Sequence, residues 1–488
     1  MKKAIVIGAG FSGLSAATTL ADKGYDVTLL EKHEQTGGRA RTLKKDGFTF
    51  DMGPSWYWMP DIIESYFTSF GKRVSDYLTL ERLDPSYQVI FSKEDTVSIP
   101  ANYEKLKQLF EIREEGSAAK LDAFVNEAEK KYKIAMDKFV RMPSKSFLEY
   151  ANVTLLKSAL NLQLLTPFSK HIRAYFKSKE LLQLMEFPVL FLGGTPDKIP
   201  AMYSLMNYAD IKLGTWYPKG GFGMLAQAMT QLAKEKGVDI RLEHNVEEFS
   251  FEKHKIKEVV TNRGAFAADI VISAADYHFT EQKLLPKNIR TYSPTYWENR
   301  TMAPSCLLYY VGVGKKIKKL QHHNLFFETD FQKHSDTIYN TPQWPQNPLY
   351  YVCCPSKTDS AVAPEGCENV FILIPVAPGL KDSQEIRKKY FNQIMARLEE
   401  YCGEEIKKEI ISYTDYAQSD FMTDYNAFKG NAYGLANTLK QTAFLKPTIA
   451  SSKVKNLAYA GQLTVPGPGV PPSIISGQIA AHYALKHF

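Results

Sequence analysis

Three glycines near the N-terminus have the spacing that binding of a dinucleotide requires. They are Gly8, Gly10 and Gly13, and they follow a short apolar strand. The first permits a tight turn, the second lets the backbone approach a pyrophosphate, and the third lets the next helix pack close to the strand. Glu31 ends the following strand, where its carboxylate can accept hydrogen bonds from two ribose hydroxyls. This pattern predicts a dinucleotide site, and the alternative is a glycine-rich turn that binds nothing.

A second group of glycines follows the acidic position. Gly37 and Gly38 let the chain pass close to a further stretch of cofactor, and Arg39 can pair with its pyrophosphate. Residues 50–54 (Phe-Asp-Met-Gly-Pro) come a little later. Together these residues resemble the second signature of the flavin amine-oxidase superfamily, and the resemblance implies FAD rather than NAD as the redox cofactor. A plain turn at Gly37 and Gly38 is the alternative.

Two segments farther along the chain extend this resemblance. Val246 follows a predicted strand, where the superfamily holds adenine through the backbone of a valine. Near the C-terminus, a strand ending at Gly461 matches the one that the superfamily places beside the ribityl chain. A helix predicted to start near Ser473, just after Val470, would direct its positive end at the flavin pyrimidine ring. The resemblance therefore implies a cofactor site built from both ends of the chain, with Gly461 and Val470 among its contacts.

Longer blocks of sequence resemble the bacterial-type phytoene desaturases, which are carotenoid desaturases, over essentially the whole chain. The most specific are residues 216–221 (Trp-Tyr-Pro-Lys-Gly-Gly) and 466–471 (Pro-Gly-Pro-Gly-Val-Pro). The resemblance implies an FAD-dependent enzyme of carotenoid biosynthesis that converts 15-cis-phytoene by successive dehydrogenations to all-trans-lycopene, with quinone or oxygen as the electron acceptor. Residues 462–467 lack the histidine of the family's Thr-His-Pro-Gly sequence, which leaves the substrate and the number of steps open.

The sequence defines the catalytic groups less well than the cofactor site. By the resemblance, the flavin takes a hydride from the polyene, and a base or water removes the neighbouring proton. Glu149 and Asp51 are candidates for this base, although either could be structural. Three other functions stay open: a related desaturase acting on a C30 precursor or a later C40 carotenoid, a flavin amine or protoporphyrinogen oxidase, and a non-enzymatic prenyl-binding protein like the GDP-dissociation inhibitors.

The elements that position these residues indicate an α/β fold with three lobes. Strand, turn, helix and strand follow one another at the N-terminus, as in the opening of a doubly wound sheet. We predict a discontinuous Rossmann-like FAD-binding lobe from residues 1–75, 215–290 and 440–488. Helical periodicity predicts a helical lobe over 100–200. Residues 76–99 and 300–440 are predicted to form a substrate-binding lobe around a mixed β-sheet.

Composition argues against several other classes of function. The chain has 488 residues, a net charge of +7 and no recognisable nucleic-acid-binding module. Its five cysteines lack the paired spacing of a metal site, and His322 and His323 have no evident partner cluster, so no metal is expected. The cysteines are interpreted as reduced thiols of a cytoplasmic protein. Prolines interrupt the uncharged stretch over 456–485, which argues against a membrane span there.

A peripheral contact with the cell membrane is predicted, because a polyene hydrocarbon dissolves in the bilayer. Residues 155–175 mix leucines with Lys157, Lys170, His171 and Arg173, a composition that can lie on an anionic membrane. The alternative is an amphipathic helix packed inside the protein. The polyene also needs a long apolar pocket, for which 28 Tyr and 28 Phe are available. A homo-oligomer stays open, because the sequence does not fix the oligomeric state.

Overall fold

A computed structural model describes residues 1–146, 149 and 162–488 of the chain. The strands of this part, numbered in chain order, are β1 Lys3–Ile7, β2 Asp26–Leu30, β3 Thr42–Lys45, β4 Phe48–Asp51, β5 Leu80–Arg82, β6 Tyr87–Ile90, β7 Thr96–Ile99, β8 Trp216–Pro218, β9 Asp239–Arg241, β10 Val246–Glu252, β11 Lys255–Thr261, β12 Gly264–Ala267, β13 Ile270–Ser273, β14 Ser305–Val313, β15 His323–Phe326, β16 Tyr350–Cys353, β17 Glu368–Val376, β18 Ile410–Tyr416 and β19 Leu457–Tyr459. The α-helices are Phe11–Asp22, Pro60–Thr68, Tyr103–Arg113, Ser117–Ile134, Phe168–Arg173, Lys179–Glu186, Leu205–Tyr208, Gly223–Glu235, Tyr277–Phe279, Pro294–Glu298, Phe331–Tyr339, Gln384–Cys402, Gln418–Tyr425 and Val470–His487.

Five parallel strands form the sheet that carries the N-terminal glycine turn, in the order β19-β13-β1-β2-β9. Side chains of a strand alternate between its two faces. Ala4 and Val6 of β1 therefore pack on one face, against the helices that follow β1 and end the chain. Ile5 and Ile7 pack on the other face, against the antiparallel sheet β10-β11-β12. Because both faces are covered, the strands are nearly continuous apolar runs.

A mixed sheet of seven strands forms the second half of the molecule, in the order β18-β14-β17-β16-β15-β6-β7. All its pairings are antiparallel except that of β15 with β6. One face packs against the helix Gln384–Cys402 and contains Leu307 and Tyr350. The opposite face contains Leu308 and Tyr351 and packs against the helical region. The strand alternation thus decides which side chains of this sheet face the helices around the site.

The observed elements confirm the predicted α/β class and correct one boundary. The C-terminal helix begins at Val470 rather than near Ser473, because Pro471 and Pro472 fit in a first turn, where the missing N–H groups have no intrahelical partner to lose. The parallel sheet takes its strands from residues 1–75, 215–290 and 440–488, while the division into three lobes stays a prediction. Within the described residues, every helix is too short or too polar to cross a membrane.

Candidate active site

A cavity of about 770 Å³ lies between the parallel sheet, the seven-stranded sheet and the helical region. One part of its wall comes from the glycine-rich segments, and we call it the cofactor part. The rest of the wall is mainly hydrophobic, and we call it the apolar part. Nine of the ten predicted cofactor residues line the cavity: Gly8, Gly10, Glu31, Gly37, Gly38, Arg39, Val246, Gly461 and Val470.

The N-terminal glycines have different structural tasks. Gly8 has a φ of +93°, which favours glycine, and its N–H donates to the Leu30 carbonyl oxygen at 2.7 Å. Gly13 does not line the cavity, and a Cβ there would lie 1.8 Å from the Gly8 carbonyl oxygen. A Cβ on Gly10 would meet only the Gly38 Cα, at 3.9 Å. Gly13 is therefore required by packing, whereas the space beside Gly10 opens into the cavity.

The second glycine pair is docked on the first turn. The Gly37 N–H donates to the Ala9 carbonyl oxygen at 2.8 Å. Gly38 has a φ of +56°, and a Cβ there would lie 3.2 Å from the Gly10 Cα. Two backbones thus meet without side chains between them. This leaves backbone amides and no side-chain bulk where a diphosphate would lie.

Glu31 is buried and already has backbone partners. Its carboxylate accepts hydrogen bonds from the Ala9 N–H at 2.7 Å and from the His33 N–H at 3.0 Å. A carboxylate has about four lone-pair sites, so it can still accept from a ribose. The role of Glu31 in holding the glycine turn was not visible in the sequence, and its contact with ribose stays a prediction.

Arg39 is a cation at the cavity wall whose donors are only partly used. Its Nη2 donates to the Asn431 carbonyl oxygen at 3.3 Å, and its guanidinium carbon lies 5.0 Å from the centre of the Tyr425 ring. Among the residues that the structure describes, the buried Nε–H has no hydrogen-bond partner. Burial lowers the pKa of Arg39, and the nearby Asp276 opposes this effect. An unused, buried donor on a cation fits a phosphate-bearing ligand in this cavity.

The C-terminal helix presents its first turn to the same cavity. Pro471 and Pro472 have no N–H, and the Ser473 N–H donates to the Gly469 carbonyl oxygen at 3.0 Å. Val470 therefore carries the remaining N–H of the first turn, at the positive end of the helix. This end can stabilise negative charge on a bound group, and its contact with the flavin stays a prediction.

The apolar part of the cavity extends to the protein surface. Its wall carries Trp56, Met136, Val140, Leu192, Met206, Leu308, Leu373 and Phe421 among others. Leu165 and Leu445 also line it, and they are 88% and 43% exposed. Exposed leucines at the edge of an apolar cavity indicate an opening through which a hydrophobic ligand can enter.

Comparison with known proteins identifies the family. The family described as "Flavin containing amine oxidoreductase" matches residues 11–485. The chain belongs to this family. Its cofactor is FAD, and the prediction of an FAD-dependent oxidoreductase is confirmed. Gly8, Gly10, Gly37, Gly38 and the unpartnered Nε–H of Arg39 fit the diphosphate of that cofactor.

Curated relatives cover nearly the whole flavoprotein. A carotenoid 3,4-desaturase of Haloarcula japonica is 42% identical over 99% of this chain and 97% of its own. A 4,4'-diapophytoene desaturase of Staphylococcus haemolyticus is 33% identical over 99% of this chain and 98% of its own. The resemblance to carotenoid desaturases is confirmed by these relatives.

Solved structures show the same fold at low identity. An oxidoreductase from Methanosarcina mazei has a TM-score of 0.61 and 16% identity, covering 98% of this chain and 99% of its own. A wild-type putrescine oxidase has a TM-score of 0.59 and 16% identity, and the match covers 99% of each chain. A Rab GDI from Plasmodium falciparum has a TM-score of 0.56 and 11% identity, and the match covers 99% of this chain and 98% of its own. These likenesses concern the fold alone.

The two candidate bases lie outside the cavity of this flavoprotein. The Asp51 carboxylate accepts from the N–H groups of Phe222 and Gly223, at 2.7 and 3.1 Å, and so caps the helix Gly223–Glu235. Burial raises the pKa of Asp51 to about 6. Glu149 accepts from the Lys145 N–H at 2.8 Å. The structure gives both carboxylates backbone partners and places neither at the cavity wall.

One sequence expectation about histidines is wrong. His322 and His323 do have a cluster partner, because their ring nitrogens and the Cys353 sulfur lie within 4.8 Å of one another. The three are close because β15 pairs with β16, which the sequence does not reveal. His171 is buried 3.3 Å from the Lys131 Nζ, and burial lowers its pKa to about 4, so this side chain fits the alternative of packing inside the protein, while the membrane contact of residues 155–175 stays a prediction. Within 155–175, residues 155–161, including Lys157, lie outside the described residues.

Sequence reasoning also missed polar groups behind the loop that precedes the last helix. The Lys446 Nζ and the Asn437 Oδ1 are buried, and neither has a hydrogen-bond partner within the described part of the chain. Both would lie within 3.2 Å of a Cβ at Gly467, so they flank the same glycine. Burial lowers the pKa of Lys446 to about 7. A lysine 20 residues from the glycine-rich block gives no local signal of this contact.

Proposed function

We propose that the protein is a carotenoid desaturase, an FAD-dependent enzyme that introduces double bonds into a long polyene hydrocarbon. The observation that carries this proposal is that one cavity joins the cofactor part to an apolar part with an opening at Leu165 and Leu445. A hydrocarbon has no hydrogen-bonding group, so its site must be apolar and shaped. The desaturases among the relatives support the same class of reaction.

In this reaction, FAD held by the cofactor part would supply the acceptor for a hydride from an allylic carbon, with quinone or oxygen as the final electron acceptor. The protein positions the substrate and keeps water out of the site. Side chains such as Met206, Leu308 and Leu373 hold the polyene against the cofactor part and exclude water. The helix starting at Val470 stabilises the negative charge of the reduced cofactor.

The proposed substrate is 15-cis-phytoene, converted by successive dehydrogenations to all-trans-lycopene. A second candidate is desaturation of a later C40 carotenoid or of a C30 precursor. It is favoured by the names of two relatives, a carotenoid 3,4-desaturase at 42% identity and a diapophytoene desaturase at 33%. Residues 462–467 lack the histidine of the family sequence, and this absence is compatible with either substrate.

The substrate dissolves in lipid, so we also propose that the protein docks on the membrane around the cavity opening. Leu165, at 88% exposure, can insert between lipid chains. The exposed Lys170 and Arg173, a few residues on, can attract anionic headgroups.

The test is expression in cells that accumulate phytoene, in cells that accumulate a C30 precursor and in cells that accumulate lycopene, with the carotenoids read by absorbance and mass. Gly10→Val serves as the FAD-free control. Conversion of phytoene to lycopene supports the first substrate, and conversion only in one of the other two strains supports the second. No conversion in any strain, or a purified protein without FAD, overturns the proposal and favours a prenyl-binding protein of this fold.

A further inference from the structure

Tyr351 lines the cavity, and a histidine is hydrogen-bonded to its hydroxyl group. In β16 the side chains alternate, so Tyr351 faces the cavity while Tyr350 faces the helix Gln384–Cys402. The Tyr351 Oη lies 2.6 Å from the His323 Nδ1. His323 is fully buried and reaches this position because β15 pairs with β16. The two residues form a hydrogen-bonded path from the cavity into the sheet.

The Tyr351 hydroxyl lies where the cofactor part of the cavity meets the apolar part. It is 3.0 Å from the Ser55 Oγ, and Ser55 also lines the cavity. Ser55 is two residues beyond Gly53, where a Cβ would lie 2.6 Å from the Arg39 carbonyl oxygen. Ser55 is followed by Trp56, which lines the apolar part. The hydroxyl is therefore close in space both to the flavin signature and to the wall that would hold a polyene.

The surroundings of His323 keep its ring fixed and neutral. Trp56 stacks on it, with ring centres 4.2 Å apart and planes at 10°. The Cys353 sulfur lies 3.6 Å from its Nδ1, and the His322 ring centre lies 4.5 Å away. Burial, with a smaller contribution from His322, lowers the pKa of His323 well below its usual value. Burial raises the pKa of Tyr351 well above its usual value, so its hydroxyl stays protonated.

We propose that Tyr351 and His323 form a proton-accepting pair for the desaturation step. This inference rests on the proposed function. As a hydride leaves one substrate carbon for the flavin, the neighbouring carbon loses a proton to the Tyr351 Oη, and the Tyr351 proton moves to the His323 Nδ1. The electron pair of the second C–H bond becomes the new double bond. After product release the proton returns to Tyr351 and leaves through the cavity.

A neutral pair suits this chemistry better than a carboxylate. Loss of a hydride leaves positive charge on the polyene, and a C–H bond next to that charge is so acidic that a weak base removes its proton. A charged base beside a hydrocarbon would have a large desolvation cost. A tyrosine hydroxyl and a neutral imidazole carry no charge before the reaction, and the proton transfer moves the positive charge from the polyene to the imidazole without creating a new charge.

The test compares Tyr351→Phe with Tyr350→Phe in the FAD-loaded protein. Each change removes one hydroxyl from the same strand, but the Tyr350 hydroxyl is buried on the opposite face and has no hydrogen-bond partner among the described residues. We expect Tyr351→Phe to lower kcat for carotenoid desaturation about 100-fold, in the range of general base catalysis. We expect KM and FAD content to stay at wild-type values, and Tyr350→Phe to leave kcat unchanged.

His323→Gln tests the second member of the pair. Glutamine can accept the hydrogen bond from Tyr351 but cannot take its proton, so kcat should fall as in Tyr351→Phe. A wild-type kcat in either Tyr351→Phe or a folded His323→Gln overturns the pair while leaving the desaturase function intact. A stoichiometric metal ion in the purified enzyme that is lost with His323→Gln also overturns it, because a metal-bound imidazole accepts no proton. A wild-type enzyme that converts no carotenoid overturns the proposed function, and the pair with it.

Discussion

The two parts of the cavity are built by different means. The cofactor part comes largely from two short segments, residues 8–12 and 37–39, whose backbones touch. The apolar part takes side chains from segments as far apart as Trp56, Met206 and Leu445. A phosphate is recognised by backbone amides and by one cation, which need fixed residue types at fixed spacing. A hydrocarbon is recognised by shape and by the absence of polar groups, which many sequences can provide.

The largest predicted effect separates packing from ligand contact within the glycine turn. Gly10→Val should abolish FAD binding, since its side chain would occupy the space beside the pyrophosphate. It should leave the fold intact, because Gly10 has a φ of −73° and a Cβ would meet only the Gly38 Cα, at 3.9 Å. Flavin absorbance and thermal melting of the purified variants are the measurements.

Gly13→Ala is the matched comparison for Gly10→Val. A Cβ at this position would lie 1.8 Å from the Gly8 carbonyl oxygen, so the turn itself must move. We expect Gly13→Ala to lose FAD and to have a lower melting temperature than the FAD-free wild-type protein. Gly10→Val should have the same melting temperature as the FAD-free wild-type protein. A Gly10→Val protein that purifies with a full complement of FAD would refute the assignment of this turn.

The next effect tests the apolar part alone. Met206→Asp places a carboxyl group in the wall of the cavity, where a polyene offers it no partner. Leaving a polar group unpaired costs about 3 kcal/mol, so kcat/KM for the polyene should fall roughly 100-fold while FAD stays bound. Met422→Asp is the control, because Met422 is 54% exposed and lies outside the cavity wall. Equal kcat/KM values for the two variants would mean that the substrate lies elsewhere.

A smaller effect is expected at Glu31. Glu31→Ala removes the predicted bonds to ribose as well as those to the N–H groups of Ala9 and His33. Hydrogen bonds to a charged group are worth about 1.5–3 kcal/mol, so FAD affinity should fall roughly 10- to 150-fold. Titration of the apoprotein with FAD measures the loss. The control is Glu34→Ala at an exposed acid three residues on, and wild-type affinity in Glu31→Ala would show that the carboxylate only supports the turn.

The same contrast explains how much the sequence could predict. The strands and helices around the glycine turn followed from local patterns, and the resemblance to a flavin superfamily added the FAD cofactor and completed the nine cavity-lining residues. The pairing of β15 with β16 did not, because it joins segments separated by a helix and a loop, and so the contact between Tyr351 and His323 stayed hidden. Asp51 and Glu149 were candidates only because they are acidic. The Asp51 carboxylate caps a helix that is distant in the sequence, and the Glu149 carboxylate accepts from the backbone of a nearby residue. Neither contact belongs to a sequence motif.

The smallest predicted effect concerns the cavity opening. A basic side chain near an anionic membrane contributes about 1 kcal/mol, so Lys170→Glu should weaken binding to anionic vesicles at least fivefold. Lys170 is exposed five residues beyond Leu165, at the edge of the apolar part. Vesicle flotation at low and high salt is the measurement, since salt screens the charge attraction but not the apolar contact. Lys407→Glu is the matched control, because Lys407 is an exposed lysine in the short turn that precedes β18, on the other half of the molecule. If both variants float like the wild type, the opening is not the docking surface. If only Lys170→Glu loses binding at low salt, the apolar part of the cavity faces the lipid that holds its substrate.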